Sequence, residues 1–189
     1  MSKAQIQFHL KKASKLVDEL EPGSIDRRLP IVNAAKVDCQ LWYVFPKQRE
    51  AMKQVAMIEG GWNYAWGDGG ECAAFVARWL RAGGVYCVDG CAFGEVGGLE
   101  GRTVTPFVLR DHFKLWGRWM EGADPATIAK VGPGDMIYTT DVETGHVGIV
   151  ESVDEDLKTI HTIEANYSNS IKEVRRTRFE KIVGFGSVG

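Results

Sequence analysis

Among the chain's 189 residues, one cysteine and one histidine stand where nucleophilic chemistry could use them. That chemistry needs a thiolate, a base within its reach and a third group that orients the base. Cys72 follows Gly69-Gly70 and opens the segment CAAFVARWLRAGG, in which Cys72, Phe75, Val76, Trp79 and Leu80 recur on one helical face before Gly83-Gly84 stop it. A thiol at a helix N-terminus meets the positive end of the macrodipole and unpaired N–H groups, both of which favour the thiolate. The backbone N–H of Cys72 would also be free to hold the oxyanion of a tetrahedral intermediate. Taken alone, a free cysteine is more often a small apolar core residue. The position gains chemical meaning only if a base can reach it.

His146 is that base. It follows Gly145 and opens the strand-like run GHVGIVESVD, a place where a side chain meets the sheet edge rather than the deep core. In the next run, TIHTIEANYS, alternation puts Ile160, Thr162, Glu164 and Asn166 on one face and His161, Ile163 and Ala165 on the other. Glu164 or Asn166 could accept the imidazole N–H and fix the tautomer whose other nitrogen faces the thiol. His161 is rejected as the base because it faces away from Glu164. His9 and His112 fall on helical segments and read as surface or core-edge residues.

The elements that must position these groups change character along the chain. Residues 4–20 read as an amphipathic helix stopped by Pro22-Gly23, and 47–58 as a second helix ended by Gly60-Gly61. Residues 27–45 resist assignment. Residues 86–105 are Gly-rich and read as a long connection, and 107–121 as a helix with Phe113, Trp116 and Met120 at helical spacing. From Gly132 onward GDMIYTT, GHVGIVESVD, TIHTIEANYS, KEVRRTRF and KIVGFGSV are short β-branched runs separated by turns. Helices followed by a meander of strands predict an α+β domain with an antiparallel sheet.

Composition narrows the partners. The chain carries 23 Lys and Arg against 25 Asp and Glu, a net charge of -2, and no basic stripe that would mark nucleic-acid binding. Arg175, Arg176 and Arg178 form the densest basic cluster, which reads as a solvated strand edge. The four cysteines, Cys39, Cys72, Cys87 and Cys91, are not spaced like a disulfide scaffold, and a domain of this size needs none. Cys87 and Cys91 lack the second ligand pair that a zinc site requires, so no metal is expected. No run is long and apolar enough to span a bilayer, and the N-terminus has no apolar signal core. Synthesis in the cytoplasm without a signal peptide is expected.

Taken together, NYAWGDGGECAAFVARWLRAGG, GPGDMIYTT, GHVGIVESVD and TIEANYSN resemble the CHAP amidase/peptidase domains, relatives of the NlpC/P60 cell-wall hydrolases. The family pattern is a Cys opening a helix, a Gly-Asp before the first strand, a Gly-His-Val opening the second and a Glu-x-Asn ending the third. Here these are Cys72, Gly134-Asp135, Gly145-His146-Val147 and Glu164-Ala165-Asn166, over roughly residues 48–187. The resemblance implies a papain-like α+β fold, with N-terminal helices, a nucleophile helix and an antiparallel sheet. It implies Cys72, His146, Glu164 and Asn166 as catalytic residues, with Glu164 favoured as the direct partner of His146. Tyr64 and Trp66-Gly67 resemble the Tyr-x-Trp-Gly upstream of the NlpC/P60 cysteine, which would place Tyr64, with Trp66, at the oxyanion or substrate site.

The implied activity is amide hydrolysis through a thioester, without a cofactor, on the peptide or sugar-peptide bonds of bacterial peptidoglycan. Action at the cell wall would then follow release or injection. Alternatives are a cysteine hydrolase or acyltransferase acting on another amide or ester, or a non-catalytic binding module on the same fold. The insertion between Arg81 and Asp135 is longer than in many family members, and no Asp-rich calcium loop precedes Cys72. Residues 1–45 are expected to form an N-terminal extension and 46–189 the hydrolase domain.

Overall fold

The computed structural model describes residues 28–60, 70–85 and 104–189. The helices are α1 (Arg28–Val44), α2 (Arg49–Gly60, preceded by the 3-10 turn Pro46–Gln48), α3 (Glu71–Ala82), α4 (Pro106–Leu115) and the short α5 (Pro125–Ile128). The strands are β1 (Trp119–Glu121), β2 (Met136–Thr139), β3 (His146–Val153), β4 (Ile160–Glu164), β5 (Lys172–Arg176) and β6 (Ile182–Gly186). Helices together with one antiparallel sheet of six strands make an α+β architecture. The expected helix at 4–20, the Gly-rich connection at 86–103 and the Tyr64–Trp66 segment lie outside the described residues.

Helix α1 falls where the sequence resisted assignment, and its buried face explains why. Ile31, Val32, Ala35, Cys39 and Trp42 are buried at helical spacing, but so is Asp38, which breaks the apolar stripe. Asp38 accepts hydrogen bonds from Arg78 Nη1 at 2.6 Å and Trp79 Nε1 at 2.8 Å, both on α3. The carboxylate therefore fastens α1 to the helix that carries Cys72. Ile31, Ala35 and Trp42 share one core with Phe75, Trp79 and Leu80. Helix α1, on the N-terminal side of the boundary expected after residue 45, thus packs directly on the helix that carries Cys72.

The region expected to be helical through 121 divides in two. Thr105 caps α4 by accepting from the N–H of Val108, with Pro106 opening the helix. The helix ends at Gly117, whose φ of +65° lies in the left-handed region that glycine tolerates. Beyond that turn Trp119–Glu121 pairs with β6 as an edge strand, so the Trp116/Met120 spacing is coincidental.

The sheet runs β1-β6-β2-β3-β4-β5 with every pairing antiparallel. Met136, Tyr138, Val147, Ile149 and Ile163 pack with α1, α2, α3 and α4 in the larger core. The alternate residues Ile137, Val150, Ile160 and Phe185 form a second cluster under Ile128 and Val131. The Gly-Asp before β2 has a structural role: the fully buried Asp135 accepts from the N–H groups of Gly132 and Val188, both at 2.9 Å. Burial nonetheless raises its pKa, those N–H groups and Arg28 offsetting only part of the desolvation. Among the described residues, no helix is long and apolar enough to cross a membrane.

Asp38 yields a direct test of this layering. Asp38→Ala should leave the Trp79 N–H and the Arg78 guanidinium without this carboxylate, at a cost of about 3 kcal/mol. Urea unfolding should show a lower midpoint with an unchanged slope.

Candidate functional site

Cys72 is the second residue of α3. Its N–H belongs to the first turn of the helix, whose N–H groups have no partner within the helix itself. The capping position is Gly70, which offers no side chain, so the helix end is not occupied by an acceptor from its cap. Glu71 beside it is paired with Lys53 of α2 at 3.1 Å. Cys72 is buried, as is Cys39, the other cysteine among the described residues. Burial, followed by the charge of Glu173, pushes the Cys39 thiol up. Cys39 Sγ donates to the carbonyl of Ile171 at 3.6 Å.

His146 is the first residue of β3, and its ring stands between two groups. Nε2 donates to Glu164 Oε2 at 3.0 Å, and the Cys72 side chain lies close enough to raise the ring's pKa. With Nε2 committed to Glu164, Nδ1 is the nitrogen left for the thiol. Burial alone would lower the His146 pKa, but the hydrogen bonds and charges of Cys72 and Glu164 outweigh it and hold the imidazole at about 9. At neutral pH the ring is an imidazolium.

Glu164, the last residue of β4, is fully buried. Desolvation works against its charge, yet His146 and Arg176 override it and bring the carboxyl down to about 2. Arg176 approaches with two nitrogens, Nε to Oε1 at 2.7 Å and Nη2 to Oε2 at 2.8 Å. Thr162 Oγ1 donates to Oε1 at 2.5 Å. The third guanidinium nitrogen, Nη1, donates to Asp141 Oδ2 at 2.7 Å, and Thr139 Oγ1 donates to the same oxygen at 3.1 Å.

Gly148 makes this crossing possible. It lies two residues beyond His146 on the same face of β3, and a Cβ there would fall 2.6 Å from Cγ of Glu164 and 3.0 Å from the carbonyl of Ile163. The Gly-His-Val-Gly sequence therefore leaves a lane through which Glu164 reaches the ring. By strand parity His146, Gly148, Thr162 and Glu164 share the sheet face turned away from the larger core.

Asn166 takes a different place from the one alternation predicts. β4 ends at Glu164, and Asn166 adopts a φ of +57° in the turn that follows, so the shared face with Glu164 is lost. Among the described residues it makes no hydrogen bond to His146. The next residue, Tyr167, sets its ring edge-on to His146 with centroids 5.8 Å apart, and Lys172 Nζ lies 5.0 Å from the centre of the tyrosine ring. His161 bonds Asp154 Oδ1 at 3.0 Å, away from this group.

Sequence reasoning missed Arg176 and Tyr138. Arg176 was grouped with Arg175 and Arg178 as a solvated edge, but it is 8% exposed. A signal existed: a glutamate expected to remain charged beside a buried imidazole needs a cation, and β5 offers Lys172 and Arg176 on one face. Tyr138 is buried, the guanidinium carbon of Arg110 lies 5.4 Å over the centre of its ring, and its hydroxyl packs on Gly145. Burial raises the phenol's pKa, the charge of Arg110 opposing this and those of Asp111 and Cys72 adding to it. Its burial beneath Arg110 could not be read from a β-branched run.

Among the described residues no three His, Cys, Asp or Glu side chains are grouped to hold a metal ion. The arrangement that is present can generate a sulfur nucleophile, carry a proton to a leaving group and keep the carrier charged. No protein-family model, curated protein or solved structure matches this chain.

Two measurements test the geometry. NMR titration of His146 should give a value near 9 in the native protein, and Glu164→Gln should move it down by about one unit or more because the charged partner is gone. Gly148→Ala should force Glu164 out of its lane and lower the His146 value in the same direction. A native-like titration in a folded Gly148→Ala protein would show that the lane has no such role.

Proposed function

We propose that this chain is a cysteine-dependent amide hydrolase with a papain-like arrangement of Cys72, His146 and Glu164. The observation that carries the reading is a thiol in the first turn of a helix beside His146, whose ring is bonded to a buried, ionised Glu164. Cys72 Sγ attacks the carbonyl carbon and forms a C–S bond as the C=O electrons move onto oxygen. The Cys72 N–H, free in the first turn, donates to that oxyanion. His146 delivers its proton to the departing nitrogen as the C–N bond breaks, leaving a thioester. It then takes a proton from water, which attacks the thioester and releases the acid and Cys72. Glu164 holds the ring in register and keeps its protonated form favoured throughout.

Bacterial peptidoglycan is the proposed substrate class, cut at the sugar-peptide amide or within the peptide. It rests on the resemblance to CHAP and NlpC/P60 domains, as do substrate or oxyanion roles for Tyr64 and Trp66. Glu164, which bonds the imidazole, is the proposed orienting residue, and Asn166 holds at most a secondary place.

Iodoacetamide at neutral pH should alkylate Cys72 ahead of Cys39, whose thiol burial pushes up. Cys72→Ala should abolish clearing of purified cell walls in a zymogram while leaving the fold intact, and mass spectrometry of released fragments should identify the bond. Failure to cut cell walls with a selectively reactive Cys72 would move the substrate to another amide or ester. An inert Cys72 would leave a binding module. Glu164→Gln should lower the rate by about ten- to a thousand-fold and Asn166→Ala by less. The alkaline limb of the rate should fall near pH 9, where the imidazolium loses its proton.

A further inference from the structure

Arg176 is the feature that the catalytic reading leaves without a role. It lies on β5, the strand beyond the one that carries Glu164, and touches neither the thiol nor the imidazole. Its guanidinium is nonetheless almost wholly buried and fully engaged: two nitrogens on Glu164 and the third on Asp141. Asp141 lies between β2 and β3, so one side chain ties β5, the end of β4 and the approach to His146 together.

The geometry points to Arg176 as a positioning residue, one that holds the Glu164 carboxylate at His146 through a two-pronged grip anchored on Asp141. This inference deepens the proposed hydrolase reading and rests on it for its functional meaning. A planar guanidinium meeting both carboxylate oxygens fixes the plane of the carboxylate as well as its charge, which an ammonium cannot do. With that plane fixed, Oε2 serves His146 Nε2 and Oε1 receives Thr162. Asp141 supplies the counter-charge that keeps Arg176 from being drawn elsewhere, and Thr139 steadies Asp141.

The charged groups around Glu164 are accounted for from each neighbouring element. His146 faces it from β3 and Arg176 from β5, while Cys72 of α3 acts on it through His146 and Asp141 through Arg176. Lys172, opposite Glu164 in the β4–β5 register, directs its ammonium over the Tyr167 ring. Arg176 is therefore the cation in contact with the carboxylate apart from the imidazolium it serves. Without it, a fully buried glutamate would retain one cationic partner, and desolvation would draw its proton affinity upward.

The test compares Arg176→Gln with the native protein. The Glu164 carboxyl signal in carbon-13 NMR should titrate about one unit or more higher in the variant. The acid limb of Cys72 alkylation by iodoacetamide should move up with it, a change in pH profile that a merely structural role would not produce. Placing Arg176→Gln in a Glu164→Gln background should add no further shift, because the carboxylate through which it acts is absent. Arg176→Lys keeps a charge without the fork and should shift both readouts in the same direction by less, and it serves if the Gln variant does not fold. An unmoved acid limb in a folded Arg176 variant overturns the positioning role. So does an equal shift with and without Glu164. A native Cys72 no more reactive than Cys39 would instead defeat the hydrolase reading, and the carboxyl titration, which needs no activity, would still decide whether Arg176 governs Glu164.

Discussion

A single buried carboxylate sets the terms for everything around it. Glu164 has no solvent contact, and an ionised group in that position costs many kcal/mol unless its oxygens are filled. Both are filled, by four donors drawn from β3, β4 and β5. The sheet register, the missing side chain at Gly148 and the burial of Arg176 follow from the need to bring those donors to one point. Removing either charged partner would leave an unmatched buried charge, which is the expensive failure for such pairs.

Charges of alternate sign run outward from the helix: the sulfur when ionised, His146, Glu164, Arg176 and Asp141. Each is held by neighbours of opposite sign, so the protonated state of His146 is the one the surroundings favour. The series begins at a helix terminus and ends at a partly exposed turn, which leaves the middle dry while its far end meets water. A dry middle strengthens each pairwise attraction, while at the wet end water can reach the carboxylate of Asp141 beside Arg176 and Thr139.

Much of this was legible in the sequence, for reasons that lie in particular residues. Helix α3 was readable because Phe75, Val76, Trp79 and Leu80 follow a clean period and Gly83-Gly84 end it. The strands after Gly132 were readable because β-branched runs alternate with turn residues. Helix α1 was hidden by Asp38, a charged residue on the buried face whose partners lie on a different helix. β1 was hidden because its pairing with β6 is long-range and its Trp119 and Met120 sit at a deceptive spacing from Trp116. In the site, alternation found Glu164 but carried Asn166 too far, since a strand's end is set by a backbone turn that side-chain types signal poorly. Arg176 escaped because composition sees three neighbouring arginines alike, whereas only pairing reveals which one turns inward.

The order of these parts along the chain has a consequence for biosynthesis. The thiol lies on α3, while the side chains of His146, Glu164 and Arg176 come from β3, β4 and β5, all of them later in the polypeptide. A ribosome delivers Cys72 long before His146, and Arg176 last of all. Until the sheet has closed, the cysteine sits on a helix braced by α1 and α2 but lacks the full set of His146, Glu164 and Arg176. On the proposed hydrolase reading, the nascent chain is thereby spared a reactive sulfur during the interval when it is most exposed to other proteins, and competence arrives with the closing of the sheet.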